Sequence, residues 1–319
     1  MDYLKIERSQ EGLYEKFTQL KNKDLDWYEQ ETIKIIGIKN LPSKSDDDLI
    51  RQIIGKSLSD HQKKINGREY YIANAVVFLS VFREILSDDF IQKFAPQNAL
   101  DDLLVYNYYR LFHSALFDSL ILLNEYCANI KKSNDLPFGC GKNHYQHTLT
   151  LYQSLRQSIY GQCSYHSFIE VEPDLSISII RQLVEIRVRR AFGVLGYYDV
   201  ITGAIEPLSM SVIFKVLKEF KSRIDFSIPF DCLIRVYGWS NIFLHTGLKE
   251  YSWKHIFITN YLKEFSLGKP PNATGWSVNS GISIESKQVL DDIHSKLKNE
   301  HPKDVEVITC KPEAKIINA

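Results

Sequence analysis

Turn-forming residues are scarce in this chain. The 319 residues include only 15 glycines and 10 prolines, fewer than the roughly 12% that average usage would give. Folds built from many short strands need frequent turns, so this scarcity disfavours them. We therefore expect long, uninterrupted elements, and helices rather than strands.

Long apolar runs are also missing. The most apolar stretches, such as AVVFLSVF at 75–82, are far shorter than the ~18 residues that span a bilayer. The first residues carry charges and no apolar segment typical of a signal peptide. Five scattered cysteines, an odd number, favour reduced thiols over a disulfide framework. These features predict a cytoplasmic protein with no membrane partner.

Neither charge nor common nucleotide motifs assign a function. The 39 basic residues balance the 39 acidic ones, so no general attraction to nucleic acid follows from the net charge. The sequence has no Gly-x-x-x-x-Gly-Lys-Ser/Thr, Gly-x-Gly-x-x-Gly, Gly-x-Ser-x-Gly or His-Glu-x-x-His motif. This disfavours P-loop ATPases, dehydrogenases and the common hydrolases.

The composition is that of a folded protein, with 44% hydrophobic and 12% aromatic residues. Apolar residues recur every three to four positions in several segments, which is typical of helices that bury one face. Residues 10–30 read as a helix, whereas 31–42 fit its continuation or a short strand equally well. Further helices are predicted over 46–64, 70–94, 98–133, 174–197, 207–221, 229–247 and 251–265.

We predict a mainly α-helical protein, a multi-helix bundle with a small α+β C-terminal appendage. The expected regions are an N-terminal helical region (1–96), a central helical bundle (97–265) and the tail (266–319). The tail combines loop-like sequence with a helix near 285–299 and a strand-like segment at 305–309.

A cluster of soft ligands raises the question of a metal. Cys140, His144, Cys163 and His166 have spacings that a tetrahedral zinc could use. Surface histidines and a core cysteine explain the same residues, because no pair of Cys-x-x-Cys knuckles is present. Structural zinc is the weaker alternative here, and no other cofactor is expected.

The segment 239–247 (WSNIFLHTG) carries the strongest candidate for chemistry. Asn241 and His245 are four residues apart and share one helix face. His245 falls in the last turn before a capping Gly247, where the helix dipole favours an imidazolium. Such a face could hold a phosphate.

This segment resembles the HEPN family, helical nucleotide-binding domains of which many are ribonucleases. The family motif reads Arg, a polar residue that is often Asn, three residues, and His, often with Gly two further on. Asn241, His245 and Gly247 match it, and Ser240 stands where the family has arginine. The resemblance implies a metal-independent endoribonuclease in which histidine assists attack of the ribose 2′-hydroxyl. It also implies a homodimer, since family sites form from two facing motifs, and a toxin or defence setting.

Arginines elsewhere could replace the missing one. Arg189 and Arg190 are the leading candidates. Arg181, Glu185 and Arg189 lie at four-residue intervals along one face of a helix that is expected to pack beside the helix of His245. With Arg187 they form a local basic excess suited to RNA. A solvated ion-pair face is the alternative interpretation.

A second basic pair lies among aromatic residues. Arg110 and His113 are neighbours on the predicted helix 98–133 and could stack a base, although buried helix contacts are the commoner role. Two functions remain open: a HEPN-like RNA-binding protein or ribonuclease, and a catalytically inactive helical interaction subunit of a larger complex.

Overall fold

The computed structural model describes residues 15, 17–87, 115–139, 176–268 and 281–318. The protein is mainly α-helical with a small α+β region, as predicted. The chain forms two compact units. Unit 1 comprises residues 1–177 and 242–257, and unit 2 comprises residues 178–241 and 258–319. The three regions expected from the sequence stay a prediction, and the first boundary between them lies outside the described residues.

In its described residues, unit 1 is built from helices joined by loops. Its elements are a π-helical turn (Leu20–Asp24), α1 (Leu25–Ile36), α2 (Asp46–Ile53), α3 (Leu58–Ile65), α4 (Arg68–Ile85), and α5 (115–126), which a π-helical turn (Cys127–Lys131) continues. The ambiguous segment 31–42 is helical as far as Ile36, and Gly37 at φ 72° ends it. The helix predicted over 46–64 is two helices, because Ser57 caps a new one by accepting from the Asp60 N–H at 3.2 Å.

The core of unit 1 is built around α4. This helix is apolar on most of its circumference, which is typical of a helix buried on several sides. The ring of Phe78 packs edge-to-face against that of Tyr28 on α1, with centroids 4.8 Å apart. It packs in the same way against Trp253, with centroids 5.2 Å apart. The described helix ends at Ile85, and its predicted extension past residue 87 lies outside the described residues.

Unit 2 mixes helices with short strands. Its elements are α6 (Ser176–Phe192), β1 (Val194–Asp199), β2 (Ile205–Glu206), α7 (Met210–Glu219), β3 (Ile224–Asp225), α8 (Phe230–Thr246), α9 (Ser252–Tyr261), α10 (Lys263–Leu267), β4 (Ser283–Ser286), α11 (Lys287–Asn299), β5 (Val305–Thr309) and β6 (Lys315–Asn318). Helices α8 and α9 each continue from one unit into the other. The single helix predicted over 251–265 is two helices in the structure, α9 and α10.

The helix predicted over 174–197 is too long. It ends at Phe192, because Gly193 adopts φ 64° and the following residues form β1. A Cβ at Gly193 would clash with the Cys310 carbonyl oxygen, so only glycine fits this close approach. The residues from Val194 onward leave the helix and pair with the tail.

The tail strands complete two small sheets. One sheet has the antiparallel order β2-β1-β5, and the other has the order β3-β4-β6 with β4 and β6 parallel. The predicted helix near 285–299 and strand at 305–309 are confirmed as α11 and β5. The Tyr197 hydroxyl of β1 donates to the Leu297 carbonyl of α11 at 2.9 Å, so this helix covers one face of the first sheet.

No helix among the described residues is both long enough and apolar enough to cross a membrane.

Candidate functional site

One face of α8 carries Tyr237, Asn241 and His245 at four-residue intervals. Residues spaced in this way lie one above another, each about 6 Å further along the helix axis. Pro229 precedes the helix and Gly247, at φ 65°, follows it, with the Gly247 N–H donating to the Phe243 carbonyl at 2.8 Å. The predicted helix and its left-handed cap are therefore confirmed.

Within unit 2, α6 packs beside α8 through a small polar cluster. The Tyr237 hydroxyl donates to Glu185 Oε1 at 2.9 Å, and Arg181 Nε donates to the same oxygen at 3.1 Å. The Arg181 guanidinium carbon also lies 5.6 Å from the centre of the Tyr237 ring, within cation–π distance. Arg181 and Asn241, both predicted site residues, are thus joined through Tyr237. We call Arg181, Glu185, Tyr237 and Asn241 the polar cluster.

The cluster holds its members in defined protonation states. Burial, together with the bond to Glu185, raises the pKa of Tyr237, so the phenol stays neutral and donates. Burial alone would lower the pKa of Arg181, but Glu185 and Tyr237 together outweigh burial, so the pKa is raised. A neutral phenol and a permanently charged guanidinium therefore lie together at the start of the face.

Asn241 is held at a cost in stability. Its side chain hydrogen-bonds Tyr237, but its amide oxygen is buried and has no hydrogen-bond partner in the described part of the chain. A buried polar atom left in this state costs about 1–3 kcal/mol. The role of Asn241 in a functional site stays a prediction.

Ser240, at the position of the family arginine, faces the interior. Its side chain is fully buried and donates to the Tyr237 carbonyl at 2.7 Å. An arginine at this position would place an unpaired charge in the protein core, which is strongly unfavourable. The departure from the family motif is therefore built into the packing of α8, and a single Ser240→Arg substitution would disrupt the fold before it could supply a catalytic cation.

His245 is exposed in the last turn of α8, where the helix lies in unit 1. Its imidazole has no hydrogen-bond partner among the residues that the structure describes, so it is open to a ligand. Leu244, beside it in sequence, is also exposed. The two neighbours offer a matched pair for mutagenesis.

The arginines predicted to replace the family residue have partners inside the protein. Arg189 donates to the Leu195 carbonyl at 3.4 Å and to the Leu208 carbonyl. Arg190 is more exposed and pairs with Glu313 at 3.3 Å. Both arginines belong to unit 2. Their catalytic role stays a prediction.

Arg187, predicted to bind RNA, lies inside unit 2. It is 5% exposed, donates to the Phe265 carbonyl at 3.1 Å and pairs with Glu313 at 3.4 Å. Burial lowers its pKa, and the nearby Glu313 opposes this effect. Its contacts hold α6 to the tail, and its role in RNA binding stays a prediction.

The remaining candidates fall where the structure gives no account. Arg110, His113, Cys140, His144, Cys163 and His166 all lie outside the described residues. Within the described ranges, no group of three or more His, Cys, Asp or Glu side chains could hold a metal ion. The zinc hypothesis stays a prediction.

Sequence reasoning missed Tyr237. The signal was present, since Tyr237 precedes Asn241 by the same four residues that separate Asn241 from His245. A tyrosine reads first as a core residue, and only its bond to Glu185 shows that it organises the polar cluster.

Comparison with known proteins adds no assignment: no family model, no curated protein and no solved structure matches this chain.

Proposed function

We propose that the protein is a HEPN-like RNA-binding protein that binds single-stranded RNA along the face of α8. The observation that carries this proposal is the position of Arg181, which Glu185 and Tyr237 hold against α8 one turn before Asn241. The motif residues Asn241 and His245 follow on the same face. A cation on α6 and an amide on α8 therefore lie together in unit 2, and the imidazole follows one helical turn further along α8.

Arg181 supplies the positive charge for a phosphate. Its Nε is bonded to Glu185, and its side chain remains partly exposed. Tyr237 is its other partner in the cluster. A guanidinium can direct two parallel hydrogen bonds at a phosphate, which a serine cannot do. Arg181 thus takes the role that Ser240 leaves open, from a neighbouring helix rather than from the motif itself.

His245 supplies acid–base chemistry in the catalytic form of this proposal. The neutral imidazole takes the proton from a ribose 2′-hydroxyl as that oxygen forms a bond to the adjacent phosphorus. The bond from phosphorus to the 5′-oxygen breaks, the 5′-oxygen takes a proton from water as it leaves, and a 2′,3′-cyclic phosphate remains. General acid–base assistance of this kind is worth about 10²- to 10⁴-fold in rate. The proposal includes a homodimer, in which two copies of the motif face each other, and a toxin or defence role as the setting usual for such domains.

The second candidate is an inactive helical interaction subunit. The buried Ser240 favours it, because the family arginine is absent and cannot be accommodated at that position. The internal bonds of Arg189 and Arg190 also favour the inactive subunit, because they leave fewer arginines available to bind a phosphate.

Cleavage of a 5′-labelled single-stranded RNA in excess EDTA separates these functions. The nuclease form predicts cleavage by the wild type, its loss in His245→Ala and its retention in Leu244→Ala, which alters the exposed neighbour. RNA binding without cleavage by any variant would limit the function to binding. Neither binding nor cleavage, with folding verified by circular dichroism, would leave the interaction subunit. Light scattering on the same samples tests the homodimer.

A further inference from the structure

The sheet β2-β1-β5 has one face that the described chain does not cover. Its other face carries Tyr197 and Val305, both buried, and α11 packs there. Antiparallel sheets with one covered face normally turn polar side chains outward on the other. Here the exposed side of β1 and its turn is apolar instead. Five large apolar side chains between 42% and 84% exposed occur in this hairpin: Leu195, Tyr198, Val200, Ile201 and Ile205.

Strand register places two carboxylates on the same face. Tyr198 lies opposite both Ile205 of β2 and Glu306 of β5, and the Val200 N–H donates to the Asp304 carbonyl at 3.4 Å. Residues directly opposite each other on neighbouring strands turn their side chains to the same side of a sheet, so Tyr198, Ile205 and Glu306 share one side. Val200 and Asp304, each two residues along the chain from Tyr198 and Glu306, continue that side. We call Tyr198, Val200, Ile205, Asp304 and Glu306 the open face.

The two carboxylates of the open face differ from the other acids around this sheet. Asp199 and Glu206 both pair with Lys303, whereas the carboxylates of Asp304 and Glu306 form no ion pair with any described residue. The open face is therefore apolar on β1 and β2 and negatively charged along β5. Exposed apolar surface of this kind marks an interaction site.

We propose that the open face docks an amphipathic helix of a partner protein that carries lysine or arginine along one flank of its apolar stripe. Three strands spaced about 4.8 Å apart span about 10 Å, close to the diameter of one helix. Covering a sheet with a helix is the usual way to bury such a face. The apolar stripe lies over β1 and β2, and the basic flank lies over Glu306 and Asp304.

The negative charge selects this occupant over two others. An anionic lipid surface is repelled by Asp304 and Glu306. A second copy that presents the same face offers no basic side chain among the residues of the open face to pair with Asp304 and Glu306. A basic helix satisfies both the apolar and the charged parts of the surface.

Two synthetic 18-residue helical peptides test the proposal on the full-length protein by fluorescence anisotropy. Both carry the same leucine stripe, and they differ in having lysine or glutamate along one flank. The wild type should bind the lysine peptide at least tenfold more tightly than the glutamate peptide. Glu306→Lys should weaken binding of the lysine peptide at least fivefold and strengthen binding of the glutamate peptide. The control is Asp291→Lys, which also replaces a carboxylate by lysine but at an exposed position of α11, and it should change neither affinity.

A third variant tests the apolar part of the surface. Ile205→Ser should weaken binding of the lysine peptide at least fivefold. Its midpoint of unfolding should fall at the same denaturant concentration as that of the wild type. Equal affinity for both peptides, no binding of either, or an unchanged preference in Glu306→Lys would overturn the proposal. So would a dimer of the wild-type chain that Ile205→Ser dissociates, because the open face would then belong to a second copy.

Discussion

The hydroxyl of Tyr237 donates to Glu185 Oε1 at 2.9 Å and joins α8 to α6 within unit 2. Because Arg181 donates to the same carboxylate oxygen, this one acceptor positions both the aromatic ring and the cation of the proposed RNA-binding face. Removing the hydroxyl should therefore disturb the site as well as the packing of the two helices.

Tyr237→Phe should lower the free energy of unfolding by about 1–2 kcal/mol, since it deletes a partly buried hydrogen bond to a charged acceptor. Urea denaturation measures this change. The matched control is Tyr198→Phe on the exposed face of β1, which should change stability by less than about 0.5 kcal/mol. Equal effects of the two substitutions would mean that the Tyr237 bond adds nothing.

Asn241→Leu should separate function from stability. Leucine removes the buried amide oxygen that lacks a partner within the described chain, so the variant should be as stable as the wild type or more so. If Asn241 serves RNA binding, affinity for single-stranded RNA should fall at the same time. Stability is measured by urea denaturation and affinity by fluorescence anisotropy. A variant that is less stable but binds normally would make Asn241 a packing residue.

The fully buried Lys254 should be essential to unit 1. It donates to Glu250 at 2.7 Å and to the Tyr70 hydroxyl at 3.0 Å. Lys254→Met removes the ion pair from a mostly buried carboxylate and should cost about 3–5 kcal/mol. Adding Glu250→Gln should recover part of this loss.

The control for Lys254 is an exposed ion pair of similar spacing. Lys34→Met breaks the pair between Lys34 and Glu31 and should cost less than about 1 kcal/mol. Guanidinium denaturation of the four proteins gives the comparison. If Lys254→Met and Lys34→Met cost the same, the buried pair is not what stabilises unit 1.

Acid should destabilise the hairpin between β1 and β2. The backbone N–H of Thr202, followed by that of Ile201, lowers the pKa of Asp199, and Lys303 with His301 lowers that of Glu206. A carboxylate with a lowered pKa contributes stability above its usual pKa, about 4, and loses it as the pH falls through the lowered value.

The melting temperature should therefore fall between pH 5 and pH 2. Asp199→Asn should make this fall shallower, whereas Asp304→Asn should leave it unchanged because the Asp304 carboxylate forms no ion pair with the described residues. Calorimetry across this pH range provides the measurement. Parallel curves for Asp199→Asn and the wild type would contradict the role of Asp199.

Local signals explain what the sequence predicts well. Helix α8 was predictable because Pro229 precedes it and Gly247 ends it, and both signals act within a few residues. The end of α6 could not be predicted in this way, because Val194 and Tyr197 continue the apolar spacing of the helix. They form a strand through pairing with residues more than 100 positions later, and such a distant contact leaves no local pattern.

The candidate site divides in the same way. The common face of Asn241 and His245 follows from their spacing alone. The burial of Ser240 does not follow from spacing, because it depends on what packs against that side of α8. Likewise, four arginines in one short segment look equivalent in sequence, yet the structure buries Arg187 and holds Arg181 beside Tyr237.

The most direct test of the central claim is the salt dependence of single-stranded RNA binding by the wild type and two arginine variants. Arg181→Gln removes the proposed phosphate contact, and Arg223→Gln removes an arginine of the same unit that pairs with Glu285. The account predicts that Arg181→Gln weakens binding at least tenfold and reduces the slope of log K against log salt by about 0.7, while Arg223→Gln matches the wild type. No RNA binding by the wild type, or identical affinities and slopes for all three proteins, would contradict it.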